Sequence, residues 1–264
     1  MTLRDVLDGE KRWTLLEGEA LDVLAELPDA CVDALITDPP YSSGGQYRGD
    51  RTLEPSQKYV QTGTLIDRPE FAGDNRDQRS FSYWCALWMS EALRVCKPGA
   101  PIAVFTDWRQ LPTTTDAIQA GGWVWRGIVP WDKTTKCRPA KGRFAAQAEY
   151  VVWGSNGPMP VEREVGCLWG VVQAAVDVDE KYHITGKPIA VMQHVNAICK
   201  PGGLILDPFA GSASTGIAAL RDGYRFIGVE RVPSYAQTAR DWLTAEETSS
   251  TLQAKQSGQE ALFR

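Results

Sequence analysis

The chain has 264 residues, 43% of them hydrophobic, and a formal net charge of −5. That length supports one substantial core with insertions, and the acidic balance excludes a generally basic nucleic-acid coat, so any nucleic-acid contact must come from local patches. No apolar run is long enough to span a membrane, the opening MTLRDVLDGEKRW is too polar for a signal peptide, and six scattered cysteines with only two histidines point to reduced thiols in a cytoplasmic protein, with neither a disulfide frame nor a metal site.

From the N-terminus, WTLLEG reads as a strand, ALDVLAEL as a helix stopped by Pro28-Asp29, and CVDALIT as a short, nearly continuous apolar strand ending at Asp38. Residues 42–80 carry no sustained period and read as a long loop. SYWCALWMSEALRVC is an amphipathic helix closed by Lys97-Pro98-Gly99, PIAVFTD a strand, LPTTTDAIQAGG a helix with its stop, and WVWRGIVPW a strand. After an irregular stretch over about 133–148, AEYVVWGS is a strand and residues 155–182 are mostly loop. Then KPIAVMQHVNAIC (helix), LILDPF (strand), GIAALRDG (helix), YRFIGVE (strand) and VPSYAQTARDWL (helix) follow closely. This alternation implies an α/β, doubly wound, mostly parallel sheet. We expect a single domain over residues 1–243, with insertions at about 42–80 and 133–182, and a flexible polar tail over 244–264.

Two segments carry chemistry. Asp207-Pro208-Phe209-Ala210-Gly211-Ser212-Ala213 follows a strand and runs through Gly216 into a helix. Small residues there let a ligand approach the backbone amides of a helix N-terminus. Glu230 ends the next strand about 20 residues on, where an acid can accept hydrogen bonds from ribose hydroxyls. Ala213 stands where a dinucleotide fingerprint has the glycine that makes room for a pyrophosphate, which argues against NAD or FAD.

The second segment is Asp38-Pro39-Pro40-Tyr41, at the carboxyl end of a buried strand. Two prolines stiffen the turn and remove its amide donors. It therefore offers acceptors, the Asp38 carboxylate and the Pro39 carbonyl, that can hold the hydrogens of an exocyclic base amine and aim its nitrogen. Tyr41 adds a flat face for stacking an extruded base.

Together, Asp38–Tyr41 and Asp207–Gly216 resemble the amino-methyltransferase family of DNA modification enzymes. The catalytic turn precedes the cofactor loop, as in the permuted β-class of that family. LPDACVDALITDPPY, RVCKPG and HITGKPIAVM add to the likeness, which covers most of residues 13–243. The resemblance implies a Rossmann-like methyltransferase sheet, S-adenosyl-L-methionine as cofactor, double-stranded DNA as substrate and a homodimer. It implies that Asp38, Pro39, Pro40 and Tyr41 are catalytic. Asp38, Asp207, Phe209, Ala210, Gly211, Ser212, Ala213 and Glu230 would meet the cofactor, with Glu19 near its adenine and Thr185, Lys187 and Pro188 near its carboxylate. Departures are Glu19 for the usual Asp, Ala213 and Ser214 for Gly and Thr, and Ile184 for a proline.

Asp at the first turn position is commoner among the family's adenine enzymes, so adenine N6 is the expected target, with cytosine N4 as the alternative. No cysteine follows a proline, which argues against C5-cytosine chemistry. Asp38 and the motif order argue against the family's protein-glutamine methylating relatives. A non-catalytic nucleotide- or DNA-binding module of the same fold, and more remotely an NAD-linked oxidoreductase, are the other classes.

For DNA contact, Arg126, Lys133, Lys136, Arg138, Lys141 and Arg143 face a single acid, Asp132, with Trp131 and Phe144 interleaved. Arg48, Arg51 and Lys58 lie in the first insertion, which could clamp a flipped base. At the C-terminus Gln259, Leu262 and Phe263 resemble the QxxLF peptide by which bacterial proteins dock on the replication sliding clamp.

Overall fold

Strands that are apolar at every position must be covered on both faces. The computed structural model describes residues 2–42, 76–137, 139–176 and 187–262, with side chains through residue 249. In chain order its elements are α1 (Leu3–Leu7), β1 (Trp13–Glu17), α2 (Ala20–Glu26), β2 (Ala34–Thr37), α3 (Gln78–Val95), β3 (Pro101–Thr106), α4 (Leu111–Ala120), β4 (Val124–Asp132), β5 (Ala148–Ser155), β6 (Val172–Gln173), α5 (Ile189–Asn196), β7 (Leu204–Asp207), α6 (Ser214–Arg221), β8 (Arg225–Glu230) and α7 (Pro233–Leu262). The strands form one eight-stranded sheet in the order β1-β8-β7-β2-β3-β5-β4-β6. Its pairings are parallel except those of β5, which runs against both β3 and β4.

Alternate side chains of each central strand enter opposite helical layers. On β2, Leu35 joins a cluster with residues of α1 to α4, while Ala34 and Ile36 join one with residues of α5 to α7. Each large aliphatic side chain so buried contributes roughly 1.5–3 kcal/mol. The doubly wound, mostly parallel sheet expected from the alternation is thus observed.

Three local features depart from the pattern. The short helix α1 was not expected; a reciprocal capping box between Thr2 and Asp5 starts it. The strand β6 lies in a stretch expected as loop and pairs with Trp131 and Asp132. Helix α3 begins at Gln78, inside the expected loop, because Asp77 caps the amides of Arg79 and Ser80.

Helix α7 runs from Pro233 to Leu262, through the stretch expected as a polar tail after residue 243. The stretch includes Ala, Glu and Gln, which lose little freedom in a helix. It is also held early: Glu246 pairs with Arg221 at 3.0 Å, and Glu247 accepts from Trp13 Nε1 at 3.1 Å. No described helix is long and apolar enough to cross a membrane.

Candidate active site

Strands β1, β8, β7 and β2 are neighbours and all point the same way, so their carboxyl ends bring Gly18, Glu230, Asp207 and Asp38 to one edge of the sheet. Ligands of open α/β sheets bind at that edge. A cavity of about 350 Å³ lies there, lined by the Gly18–Ala20 turn, the Asp38–Tyr41 turn, Lys187, the Asp207–Ser212 loop and the stretch Val229–Val232.

The loop after β7 is built as a cradle. Glu230 ties it to the turn after β8: Oε2 accepts from the Gly211 amide at 2.9 Å and Oε1 from the Val232 amide at 2.7 Å. Burial raises the Glu230 carboxyl above its ordinary value, against the pull of those amides. Gly211 has φ +53°, and a Cβ built on it would meet nothing within 4 Å, so the backbone there faces open space. Such a cradle suits a ligand pressed against the loop, and Glu230 and Glu19 stand on either side with acceptor capacity for hydroxyl and amine groups. Glu19 caps α2, its Oε2 accepting from the Leu21 amide at 2.8 Å. Gly216 serves packing: a Cβ there would lie 2.6 Å from the Phe226 ring.

Three residues expected at the cofactor stand behind the cavity wall or are already engaged. Asp207 reaches the wall, but its Oδ1 accepts from Thr37 Oγ1 at 2.6 Å and from the Phe209 amide at 3.0 Å, and its Oδ2 from Thr215 Oγ1 at 2.6 Å. It braces the turn and has little left to offer a ligand. Burial pushes this carboxyl up to about 6 despite its three donors. Ala213 is fully buried in the core, holds φ +63° and starts α6, so its methyl faces the protein interior. Pro188 is the N-cap of α5 and does not line the cavity. Thr185 falls outside the described residues.

The Asp-Pro-Pro-Tyr turn faces the cradle. The Tyr41 hydroxyl donates to Asp38 Oδ1 at 2.6 Å, and Lys187 Nζ donates to Oδ2 at 2.5 Å. Lys187 also approaches Glu149 Oε2 at 3.4 Å and lies 5.3 Å from the Tyr41 ring centre and 5.4 Å from that of Phe105. Lys133 Nζ completes the group at 2.6 Å from Glu149 Oε1. Burial, with the Asp38 and Glu149 charges adding to it, lifts the Tyr41 phenol well above its usual range, so it stays a donor. Burial alone would lower the Lys187 ammonium; the Asp38 and Glu149 carboxylates outweigh it and leave the group above its ordinary value. The turn therefore presents a carboxylate held by two donors beside an aromatic ring.

Glu149, Trp84 and Arg76 were not singled out from sequence. Trp84 and Arg76 line the cavity, with the guanidinium 4.9 Å above the indole. Phe209 packs tilted against Trp84 and edgewise on Trp88, at 5.3 and 5.2 Å between ring centres. Helical spacing marks Trp84 as core, and nothing in the pattern distinguishes a core ring that also borders a cavity. Glu149 had one faint signal, an acid within the buried strand AEYVVWGS.

The basic segment is divided in space. Arg126 sits near the start of β4, far from the cavity edge, where it donates to Ser155 Oγ at 2.7 Å and to the Gly157 carbonyl at 3.3 Å. Lys133 is turned inward to Glu149 and is mostly buried. Trp131 is core, its indole donating to the Ala174 carbonyl at 2.8 Å. Lys136, Lys141, Arg143 and Phe144 remain exposed on the β4–β5 connection. Arg48, Arg51, Lys58, Arg138 and Phe263 lie outside the described residues, and Gln259 and Leu262 are placed only as part of α7.

Comparison with known proteins fits this geometry. YubD of Escherichia coli (strain K12), a putative methylase, is 27% identical over 231 residues, covering 87% of this chain and 89% of that protein. The M1.HpyAVI–SAM complex superposes with a TM-score of 0.63 at 20% identity, covering 88% of this chain and 98% of that one. The cytosine-N4-specific PvuII DNA methyltransferase superposes at 0.66 with 16% identity, covering 88% and 86%. The model of the N6/N4 DNA methylase family matches residues 32–241, spanning both the Asp38–Tyr41 turn and the Gly211 cradle. On that match, the chain belongs to the N6/N4 DNA methylases, the DNA amino-methyltransferases.

Proposed function

We propose that the protein methylates the N6 amine of adenine in double-stranded DNA, at sites it selects, in the cytoplasm. The family is S-adenosyl-L-methionine-dependent, and that cofactor supplies an electrophilic methyl on a sulfonium. The observation that carries the reading is the juxtaposition of the Asp38–Tyr41 turn with the Gly211 cradle in one cavity. The Asp38 carboxylate and Pro39 carbonyl accept the amine hydrogens and direct the nitrogen lone pair toward the cradle. Tyr41 stacks on the base. No covalent enzyme intermediate is required, so catalysis rests on positioning and electrostatics.

The choice of adenine rests on Asp38 at the first turn position, since the exocyclic amines of adenine and cytosine present similar hydrogens. The test is incubation with methyl-labelled cofactor and varied DNA, followed by nucleoside mass spectrometry, with Asp38→Ala as control. Label in N6-methyladenine that disappears in the variant is the expected result. Label in N4-methylcytosine would keep the chemistry and overturn the base. No label in any nucleoside, with cofactor still bound, would favour a binding-only module of the same fold.

DNA is engaged in this reading through Lys136, Lys141 and Arg143 on the β4–β5 connection, together with Arg138, Arg48 and Arg51. The acting species is a homodimer, checked by sedimentation. Gln259, Leu262 and Phe263 dock on the sliding clamp; removing residues 259–264 abolishes clamp pull-down and spares methylation of free oligonucleotides. Unchanged pull-down would sink the docking idea.

A further inference from the structure

The cavity edge holds two carboxylates and two ammonium groups in a chain, Asp38–Lys187–Glu149–Lys133, with contacts of 2.5, 3.4 and 2.6 Å. Side chains of Lys187, Glu149 and Lys133 are 11, 18 and 17% exposed, so solvent screens them little. Isolated charges buried this far are costly, and each here is tolerable because it has an opposite neighbour. Glu149 is the central link. It also reaches the Tyr41 hydroxyl at 3.4 Å, and thus addresses both donors that hold Asp38.

We infer that Glu149 is the positioning residue of the catalytic turn: it holds the Lys187 ammonium against Asp38 and so fixes the direction of the Asp38 carboxylate. The inference rests on the methyl-transfer reading for its effect on rate, but not for its structural content. Glu149 itself need not touch the base. The chemistry demands such a part, because a free carboxylate rotates about its Cβ–Cγ bond while amine orientation needs it fixed. A single ammonium donor to Oδ2 and a phenol donor to Oδ1 remove that rotation. The groups facing Lys187 among the described residues are Asp38 and Tyr41 from the β2 turn and Glu149 from β5. Lys133 lies behind Glu149, with Asp107 after β3 and Asp207 at the end of β7 acting on Tyr41 and Asp38 from further out.

The test reads Lys187 directly and the reaction separately. In protein carrying ¹³C-labelled lysine, the Lys187 signal is identified by its loss in Lys187→Arg and titrated with pH in the absence of cofactor. Glu149→Gln should bring its deprotonation down by about one pH unit or more, the usual size of an opposite charge at such contact. Glu149→Asp, which keeps the charge, should restore most of the wild-type behaviour. In the methylation assay the basic limb of the kcat profile should move to lower pH in Glu149→Gln and vanish in the double variant with Lys187→Arg. If Glu149→Gln accumulates poorly, Lys133→Met carries the test, since leaving Glu149 to Lys187 alone should move the limb to higher pH. Coincident Lys187 titrations in wild type and Glu149→Gln would overturn the inference. A wild-type protein that methylates no DNA would overturn the proposed reaction instead, and the lysine titration would still decide the role of Glu149.

Discussion

Tyr41 donates its hydroxyl hydrogen to Asp38 Oδ1 at 2.6 Å, so the ring that would stack a base and the carboxylate that would orient its amine are tied to one another. Tyr41→Phe keeps the ring and cuts the tie. We expect kcat to fall about ten-fold with cofactor affinity unchanged, and Asp38→Ala to cost on the order of 10²–10³, the range seen when an oriented polar group is removed from a reacting centre. Steady-state rates alongside calorimetric cofactor titration separate the two effects. Equal losses in Tyr41→Phe and Tyr41→Ala would assign the whole contribution to the hydroxyl.

Gly211 of the β7–α6 loop and Gly216 in the first turn of α6 should respond differently to the same change. Gly216→Ala drives a methyl against the Phe226 ring and should destabilise the fold by about 1–3 kcal/mol, seen as a lower Tm. Gly211→Ala meets no neighbour and costs only the left-handed backbone, about 1–2 kcal/mol. Its main effect should be on ligand binding, with cofactor affinity at least about ten-fold weaker, because the added methyl occupies the open cradle.

Asp207 gives a pH signature. Its folded carboxyl is raised to about 6 from an ordinary 3.8, so at intermediate pH the native state holds a proton that the unfolded chain has released. Stability from this group is therefore greatest below about pH 4 and is lost as pH rises through about 6, by on the order of 3 kcal/mol. Asp33 and Glu149 are lowered and act in the opposite sense, so the measurable quantity is the difference between wild type and Asp207→Asn. Denaturant unfolding at several pH values should show that difference change between about pH 4 and 6 and level off above it. A flat difference would mean Asp207 folds ionised.

Exposed cations on the β4–β5 connection should act on DNA through phosphate. Replacing Lys136, Lys141 or Arg143 with alanine should weaken binding to all sequences alike and reduce the slope of log K against log salt by about one per residue. Arg126→Ala should leave that slope unchanged, because its guanidinium is engaged with Ser155 and Gly157 at the other end of the strand. Binding isotherms at three salt concentrations suffice.

The sheet was legible because its central strands β2, β3 and β7 are buried at every position and its helices are bounded by prolines, glycines and capping residues. The turn at Asp38 and the loop at Gly211 were legible because paired prolines, or a run of small residues, at a strand end narrow what the backbone there can do. What escaped the sequence was long-range. Nothing local tells that β5 is antiparallel, that Lys133 turns inward, or that Glu149 meets Lys187. Asp207 shows the same limit: a carboxylate at a strand end looks the same whether it lines a cavity alone or is also held by two threonine hydroxyls. The helix over the tail is not marked by its polar composition, and the partners of Glu246 and Glu247 lie far off in sequence.

The reversal at β5 has a consequence for how such a protein can diversify. Lys133 and Glu149 stand at the two feet of one hairpin, joined by their ion pair and by the Lys133 amide bonding to the Gln147 carbonyl at 2.9 Å. Changes in length or sequence between those feet would leave Glu149, and through Lys187 the Asp38 carboxylate, in place. A single residue inserted at the start of β5 would instead turn Glu149 to the opposite face of the sheet, because side chains alternate along a strand. On the proposed reading of DNA, the hairpin is thus an exchangeable head on a fixed socket that ends at the paired Asp132 and Ala148.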